Sequence, residues 1–203
     1  LFGGLPGGGR VAQEQPTFHV GDGRRSGPYE QAHLGLAVPG PSRTDPERYA
    51  ARVANAVLGG SLTSLLFQTL RERHGLAYTV YSALESFRDS GLWLVYTACR
   101  PADVERAGEL LRGEIQRAAA GAVDEAAVAR ARHGLRAGLL LGGETLEHRL
   151  GRSVSELLLH GGPVPLHEHL EAVDRVDRAA VLDLLARHWD RQHALVVRPE
   201  RAD

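Results

Sequence analysis

Two sets of side chains in this sequence are of types that could bind or hydrolyse a peptide: histidines able to ligate a metal, and an arginine and tyrosine able to hold and polarise a carbonyl. The chain carries 10 histidines. The tightest set is His167 and His169, which flank Glu168 in LHEHLE. Zinc-peptidase helices use H-E-x-x-H or H-x-x-E-H, because residues i and i+4 share one helix face. Two residues apart on a helix, His167 and His169 point about 200° away from each other, and they grip one ion only if the segment is extended. His133, His148 and His160 have no acidic companion at the required offset. The chain therefore contains no recognisable zinc site, and these histidines read as solvated or structural.

Arg71 and Tyr78 are a different case. A helix pattern ends at about Arg73, a strand pattern begins at about Ala77, and Gly75 makes the corner between them. Arg71 falls in the last helical turn and Tyr78 at the strand start, so both can project from one end of a sheet. A guanidinium holds peptide carbonyls or a carboxylate through several fixed donors. A tyrosine hydroxyl can donate to the oxyanion that forms when water attacks a peptide bond. The spacing is equally compatible with a structural reading, in which Arg71 compensates the helix C-terminus and Tyr78 is a strand aromatic with a solvated hydroxyl.

The elements that would position this pair follow from periodicity and punctuation. Ala32 to Val38 (AHLGLAV) reads as a buried strand closed by a turn at Pro39 to Pro41. Asp45 and Pro46 open a helix as cap and first-turn residues, with Tyr49, Val53 and Val57 on one face and Gly59 and Gly60 as its stop. A second helix from about Leu62 to Arg73 aligns Leu62, Leu65, Leu66 and Leu70. Ala77 to Leu84 and Leu92 to Cys99 are strands of a hairpin around the polar turn SFRDSG. From Pro101 onward the pattern is helical. Val104, Ala107, Leu111 and Ile115 form one stripe; Asp124 caps the next helix, with Val128, Leu135 and Leu139; Leu146, Leu150, Val154 and Leu157 mark another. A short segment around His167 to Val173 and a helix from about Arg178 to His188 precede a last strand, Ala194 to Val197. Strands, then a block of helices, then a returning strand predict an α+β fold, an antiparallel sheet with helices packed on one face.

Composition sets the outer limits. With 203 residues and 43% hydrophobic content, the chain can bury one sizeable core. A formal net charge of −1 gives no electrostatic reason to expect nucleic acid or an anionic membrane as partner. No apolar run approaches the roughly 18 residues of a membrane span. The single Cys99 excludes an intrachain disulfide framework and leans towards a cytoplasmic location. Residues 1–27, with GGLPGGG and GDGRRSGP, read as a glycine-rich linker or the tail of a preceding domain; the folded domain is expected over 28–203.

The run from Gly59 to Tyr78, GGSLTSLLFQTLRERHGLAY, resembles the C-terminal domain of the M16 zinc metallopeptidases, the insulinase, pitrilysin and mitochondrial processing peptidase family. There the stretch reads approximately LGGGMSSRLFQ followed by REKxGLAY. Weaker likenesses are EQAHLGLAVPG at Glu30 to Gly40, DSGLW at Asp89 to Trp93, and the returning strand LVVRP. Where many relatives have Ser-Ser-Arg before Leu-Phe, this chain has Thr63, Ser64 and Leu65.

The resemblance implies an M16 peptidase/LuxS-like half that lacks the metal. Carried over residue by residue, Arg71 matches the family's substrate-binding arginine. Tyr78 matches the residue that stabilises the tetrahedral intermediate in an R-x6-Y arrangement. Zinc would be bound by an N-terminal M16 half-domain, fused upstream or on a partner, and not by this chain. The partners implied are that half-domain, a peptide or unfolded polypeptide substrate, and a second subunit in a homo- or heterodimer, with no nucleic acid and no membrane. Within the same fold the alternatives are a metal-free scaffold subunit, as in the core of respiratory complex III, and a peptide-binding module that keeps Arg71 without needing Tyr78. LFGGLP at the start resembles the tail of the preceding domain's final helix, which implies a parent of about twice this length.

Overall fold

The computed structural model describes residues 16–19, 21–190 and 192–200. Alternation dictates the sheet. In β2 (Ala32–Pro39), Ala32, Leu34, Leu36 and Val38 are buried and the residues between them face the other side. In β4 (Gly91–Cys99), Trp93, Val95, Thr97 and Cys99 are buried on that same side. With β1 (Gly23–Gly27), β3 (Ala77–Ser86) and β5 (His193–Pro199) these form one sheet in the order β1-β5-β2-β4-β3. Neighbours from β5 to β3 are antiparallel, and β1 adds a parallel edge to β5.

The helices cover the face that carries these apolar residues. They are α1 (Arg48–Leu58), α2 (Val104–Ala119), α3 (Glu125–Gly142), α4 (Leu146–His160), α5 (Leu166–Asp174) and α6 (Arg178–His188). Val53 and Leu58 of α1, Leu111 and Ile115 of α2, and Leu185 of α6 bury fully against the strands. At the centre lies Trp93, with no exposed surface. Its indole N–H donates to Asn55 Oδ1 at 3.0 Å and to Ser82 Oγ at 2.9 Å, and the Ser82 hydroxyl donates to Asn55 Oδ1 at 2.7 Å. One triad of side chains thus ties α1 to β3 and β4. It satisfies the Trp93 indole N–H and the Ser82 hydroxyl, whereas the indole N–H of Trp189, packed edge-on against Trp93, is buried without a partner.

The α+β architecture read from the sequence is the one observed, and α6 and the Asp124 cap of α3 fall where expected; Asp124 accepts from the Ala127 N–H at 2.6 Å. Three details differ. Gly23–Gly27 lies upstream of the expected start at Pro28, yet it pairs with β5 from Gly23↔Leu195 to Gly27↔Pro199, so the sheet begins inside the supposed linker. Residues 1–15 of that linker lie outside the described residues. Helix α1 starts at Arg48, because Asp45 folds its carboxylate back onto the Glu47 N–H at 2.7 Å and makes a turn first. The helix expected from Leu62 instead begins at about Leu65: Ser61 to Ser64 form a turn, and Leu62 is 70% exposed.

Gly59 ends α1 against the backbone of β3. Its carbonyl accepts from the Ser82 N–H at 3.0 Å, and a Cβ at this position would lie 2.5 Å from the Ser82 nitrogen. The two backbones cannot separate without breaking the Asn55–Ser82–Trp93 triad. Gly59→Ala is expected to cost about 1–3 kcal/mol, as overpacking in a tight core does, measured by urea denaturation. A wild-type midpoint would contradict the close approach.

Candidate functional site

Arg71 and Tyr78 stand at the far end of the segment that leaves α1 at Gly59 and returns as β3. Phe67–Arg73 is a π-helix, one residue wider per turn than an α-helix; the His74 N–H bonds to the Thr69 carbonyl, five residues back, at 3.2 Å. The wider turn keeps Leu66 and Leu70 fully buried while Thr69 faces α2. There the Thr69 hydroxyl donates to Glu114 Oε2 at 3.0 Å, a buried bond that Arg117 completes by pairing with the same carboxylate. The turn is therefore fixed on its inner side by apolar contact and on its flank by a charge-assisted bond.

The chain leaves this helix through Gly75, whose φ of 59° is left-handed, and the Leu76 N–H bonds back to the Leu70 carbonyl at 2.9 Å. The pairing of β3 with β4 then runs Ala77↔Cys99 and Thr79↔Ala98, which makes Tyr78 the extra residue of a β-bulge. A bulge breaks the inward–outward alternation and re-aims the side chain it carries. Tyr78 is 77% exposed.

The structure brings the two candidate residues together. Arg71 Nη1 donates to the Tyr78 carbonyl at 3.1 Å, and its guanidinium carbon lies 5.1 Å from the Tyr78 ring centre and 4.9 Å from that of Phe67. The planar cation sits against two aromatic rings, which fixes its orientation at an exposed site. One of its five N–H groups is committed to backbone, and the others remain available to a ligand. Arg73 is exposed. Phe67 was not singled out in the sequence, although an aromatic four residues before an arginine on a helix is a readable stacking signal. Thr69 and Glu114 had no such signal, since α2 brings Glu114 from 45 residues away.

Several of the other histidines are held by neighbouring side chains or backbone. Among the described residues no group of three or more His, Cys, Asp or Glu could hold a metal ion. His167 and His169 lie on a helix, α5, so they diverge. His169 is wedged between Tyr49, whose hydroxyl lies 2.5 Å from Nδ1, and Glu156, whose Oε1 accepts from Nε2 at 2.7 Å. His148 contacts its own helix cap, Thr145, and His188 donates to the Pro39 carbonyl. Burial, with Asp103 adding to it, pushes the Cys99 thiol pKa up, so it stays a protonated core residue. Among the described residues, no set of side chains is arranged to fit a zinc centre.

The profile described as "Peptidase M16 inactive domain" matches residues 1–135. The chain belongs to the peptidase M16 family. Among curated relatives, it is 42% identical to an uncharacterized zinc protease of Streptomyces coelicolor over 127 residues, 61% of this chain and 28% of that protein. It is 38% identical to an uncharacterized zinc protease of Mycobacterium bovis over 162 residues, 78% of this chain and 36% of that protein. The solved peptidase M16 inactive domain from Pseudomonas fluorescens superposes with a TM-score of 0.84 at 22% identity, over 98% of this chain and 49% of that one. The M16 domain described here thus spans about half of that solved chain and about a third of the two curated relatives.

The corner that carries Arg71 and Tyr78 depends on the left-handed residue at Gly75, where an added Cβ meets nothing within 4 Å. Gly75→Ala is therefore expected to cost only the backbone strain, about 1–2 kcal/mol. Gly75→Asn should cost less, because Asn tolerates that conformation. Thermal denaturation of the two variants checks this, and equal stability of wild type and Gly75→Ala would contradict it.

Proposed function

We propose that this domain is the zinc-free half of an M16-type endopeptidase, in which Arg71 binds the substrate backbone and Tyr78 stabilises the oxyanion. The observation that carries the reading is the stacked geometry at the β3 bulge. A guanidinium held between Phe67 and Tyr78 presents its free N–H groups outward, beside an exposed phenol, where a docked polypeptide would lie. The matched family and the naming of its relatives as zinc proteases support it.

In this reading the zinc belongs to a companion N-terminal half-domain, fused or on a second subunit, and supplies the Lewis acidity for hydrolysis. This chain's own contribution is positional and electrostatic. The outward N–H groups of Arg71 donate to carbonyl oxygens of an extended peptide and hold its register. The Tyr78 hydroxyl donates to the carbonyl oxygen as charge gathers on it, a bond that strengthens only as the carbon becomes tetrahedral. Stacking keeps both groups oriented before substrate arrives, so little reorganisation is needed at the moment of reaction. The substrates are peptides or unfolded polypeptides, and the assembly is a homo- or heterodimer of M16 halves.

Tyr78→Phe removes one donor and keeps the ring that stacks on Arg71. In the assembly containing the zinc-bearing half, its kcat is expected to fall about 10²–10³-fold with the melting temperature unchanged. Turnover close to wild type would refute the assignment and leave a metal-free scaffold or partner subunit as the better description.

A further inference from the structure

A second feature lies at the opposite end of β3. Between α1, α3, α4 and residues Leu84 to Ser86 runs a cleft of 710 Å³, within the size range of small-ligand sites, roughly 300–1,000 Å³. One wall carries Arg43, Arg48 and Arg52, and Arg152 approaches from α4. Arg43 Nε donates to the Ser86 carbonyl and Arg48 Nη1 to the Asp45 carbonyl. Arg48 also lies over the Tyr49 ring, 4.5 Å from its centre. None of these three wall arginines forms an ion pair among the described residues. Arg52 keeps an exposed surface, yet crowding by surrounding protein atoms and then, against an opposing effect of Tyr49, the charges of Arg48 and Arg43 lower its pKa. The three cations stand close enough to repel one another, and none is paired with a carboxylate among the described residues.

The carboxylates in the cleft do not supply that compensation. Glu156, the buried residue of α4, accepts from His169 Nε2 and from the Val164 N–H at 2.8 Å, with Arg152 at 3.8 Å. Glu85 is left on the rim, exposed. Away from the arginines the lining turns apolar and smooth. Leu84, Leu135, Leu139 and Leu159 form its sides, while Gly134, Gly138 and Gly151 leave bare backbone where added Cβ atoms would meet nothing within 4 Å. Two glycines one turn apart in α3 weaken that helix, and what they provide is width.

We propose that this cleft binds a short peptide segment through a carboxylate held by Arg52 with Arg48 and Arg43, its neighbouring apolar side chains lying in the glycine-lined groove. Guanidinium forks match a carboxylate. The apolar lining and the two glutamates disfavour a multiply charged phosphate, and a volume of 710 Å³ exceeds what a single small anion fills. The carboxylate can be a peptide's C-terminus or an acidic side chain. Tyr78 and Glu85 lie on the same strand about 23 Å apart, at about 3.3 Å per residue. The cleft is thus a site separate from the Arg71–Tyr78 corner, and it stands or falls independently of the peptidase reading.

Fluorescence anisotropy on the 203-residue chain tests it, with an N-terminally fluorescein-labelled Ala/Leu hexapeptide as the free acid, as the amide, and as the amide bearing one internal aspartate. At least one acid-bearing peptide is expected to bind about tenfold or more tightly than the neutral amide. Preference for the free acid identifies end recognition, and preference for the aspartyl amide identifies side-chain recognition. Arg52→Gln should weaken that binding about tenfold or more, with the circular dichroism spectrum unchanged. Gly138→Leu should weaken it while the melting temperature is maintained, because the substitution fills the groove without lowering helix propensity. Equal binding of the neutral amide, or full affinity in a folded Arg52→Gln variant, would overturn the proposal. So would displacement by millimolar inorganic phosphate combined with indifference to Gly138→Leu, since that describes a simple anion site and not a peptide groove.

Discussion

The contact on which this domain depends is the backbone-to-backbone approach of Gly59 and Ser82. It closes residues 59–82 into a loop pinned at its neck, with the Asn55–Ser82–Trp93 triad underneath and the sheet core behind. The Arg71–Tyr78 corner is carried on that loop. Because the neck is fixed, the π-helix, the left-handed turn at Gly75 and the bulge at Tyr78 form a corner of defined geometry and not a mobile excursion. The Thr69–Glu114 bond then braces the corner against α2. Irregular backbone here is concentrated where an exposed arginine and tyrosine must be presented together, which is the common pattern at functional sites.

The sequence was most readable where one physical rule acted alone. Strict alternation in Ala32 to Val38 marked a strand buried on one face, and the Asp124 cap marked the start of α3. Arg71 and Tyr78 could be chosen because a helix end, a glycine and a strand start fall within a few residues of one another. The GG to GLAY run added the family. Failures came where the deciding contact is distant in sequence or leaves no periodic trace. GRRSG looks like linker because its strand character comes from β5, which joins it only after the chain has built every helix. A π-turn preserves the four-residue spacing of Leu66 and Leu70, so hydrophobic periodicity reads it as an ordinary helix.

The two ends of β3 divide the surface into different chemistries. At its start the chain presents donors on an exposed bulge, the place of the proposed substrate contact. At its end, α1, α3 and α4 open a cationic cleft whose wall arginines lie on α1 and the turn before it, faced by α3 and α4 only in the folded state. The stability of the scaffold and the roles at its edges are largely separable: core residues such as Trp93 set the fold, while Arg71 and Tyr78 are exposed and add little buried area to it.

The central claim is that Arg71 and Tyr78 act as one unit on the substrate. A double-mutant cycle on kcat/KM, with Arg71→Ala, Tyr78→Phe and the double variant in the assembly bearing the zinc half, measures this directly. Residues that act as a unit are strongly non-additive, so the double variant is expected to be scarcely slower than the worse single one. Independent, multiplicative effects would show that the stacked pair is an accident of packing, and negligible effects in all three variants would remove the site altogether.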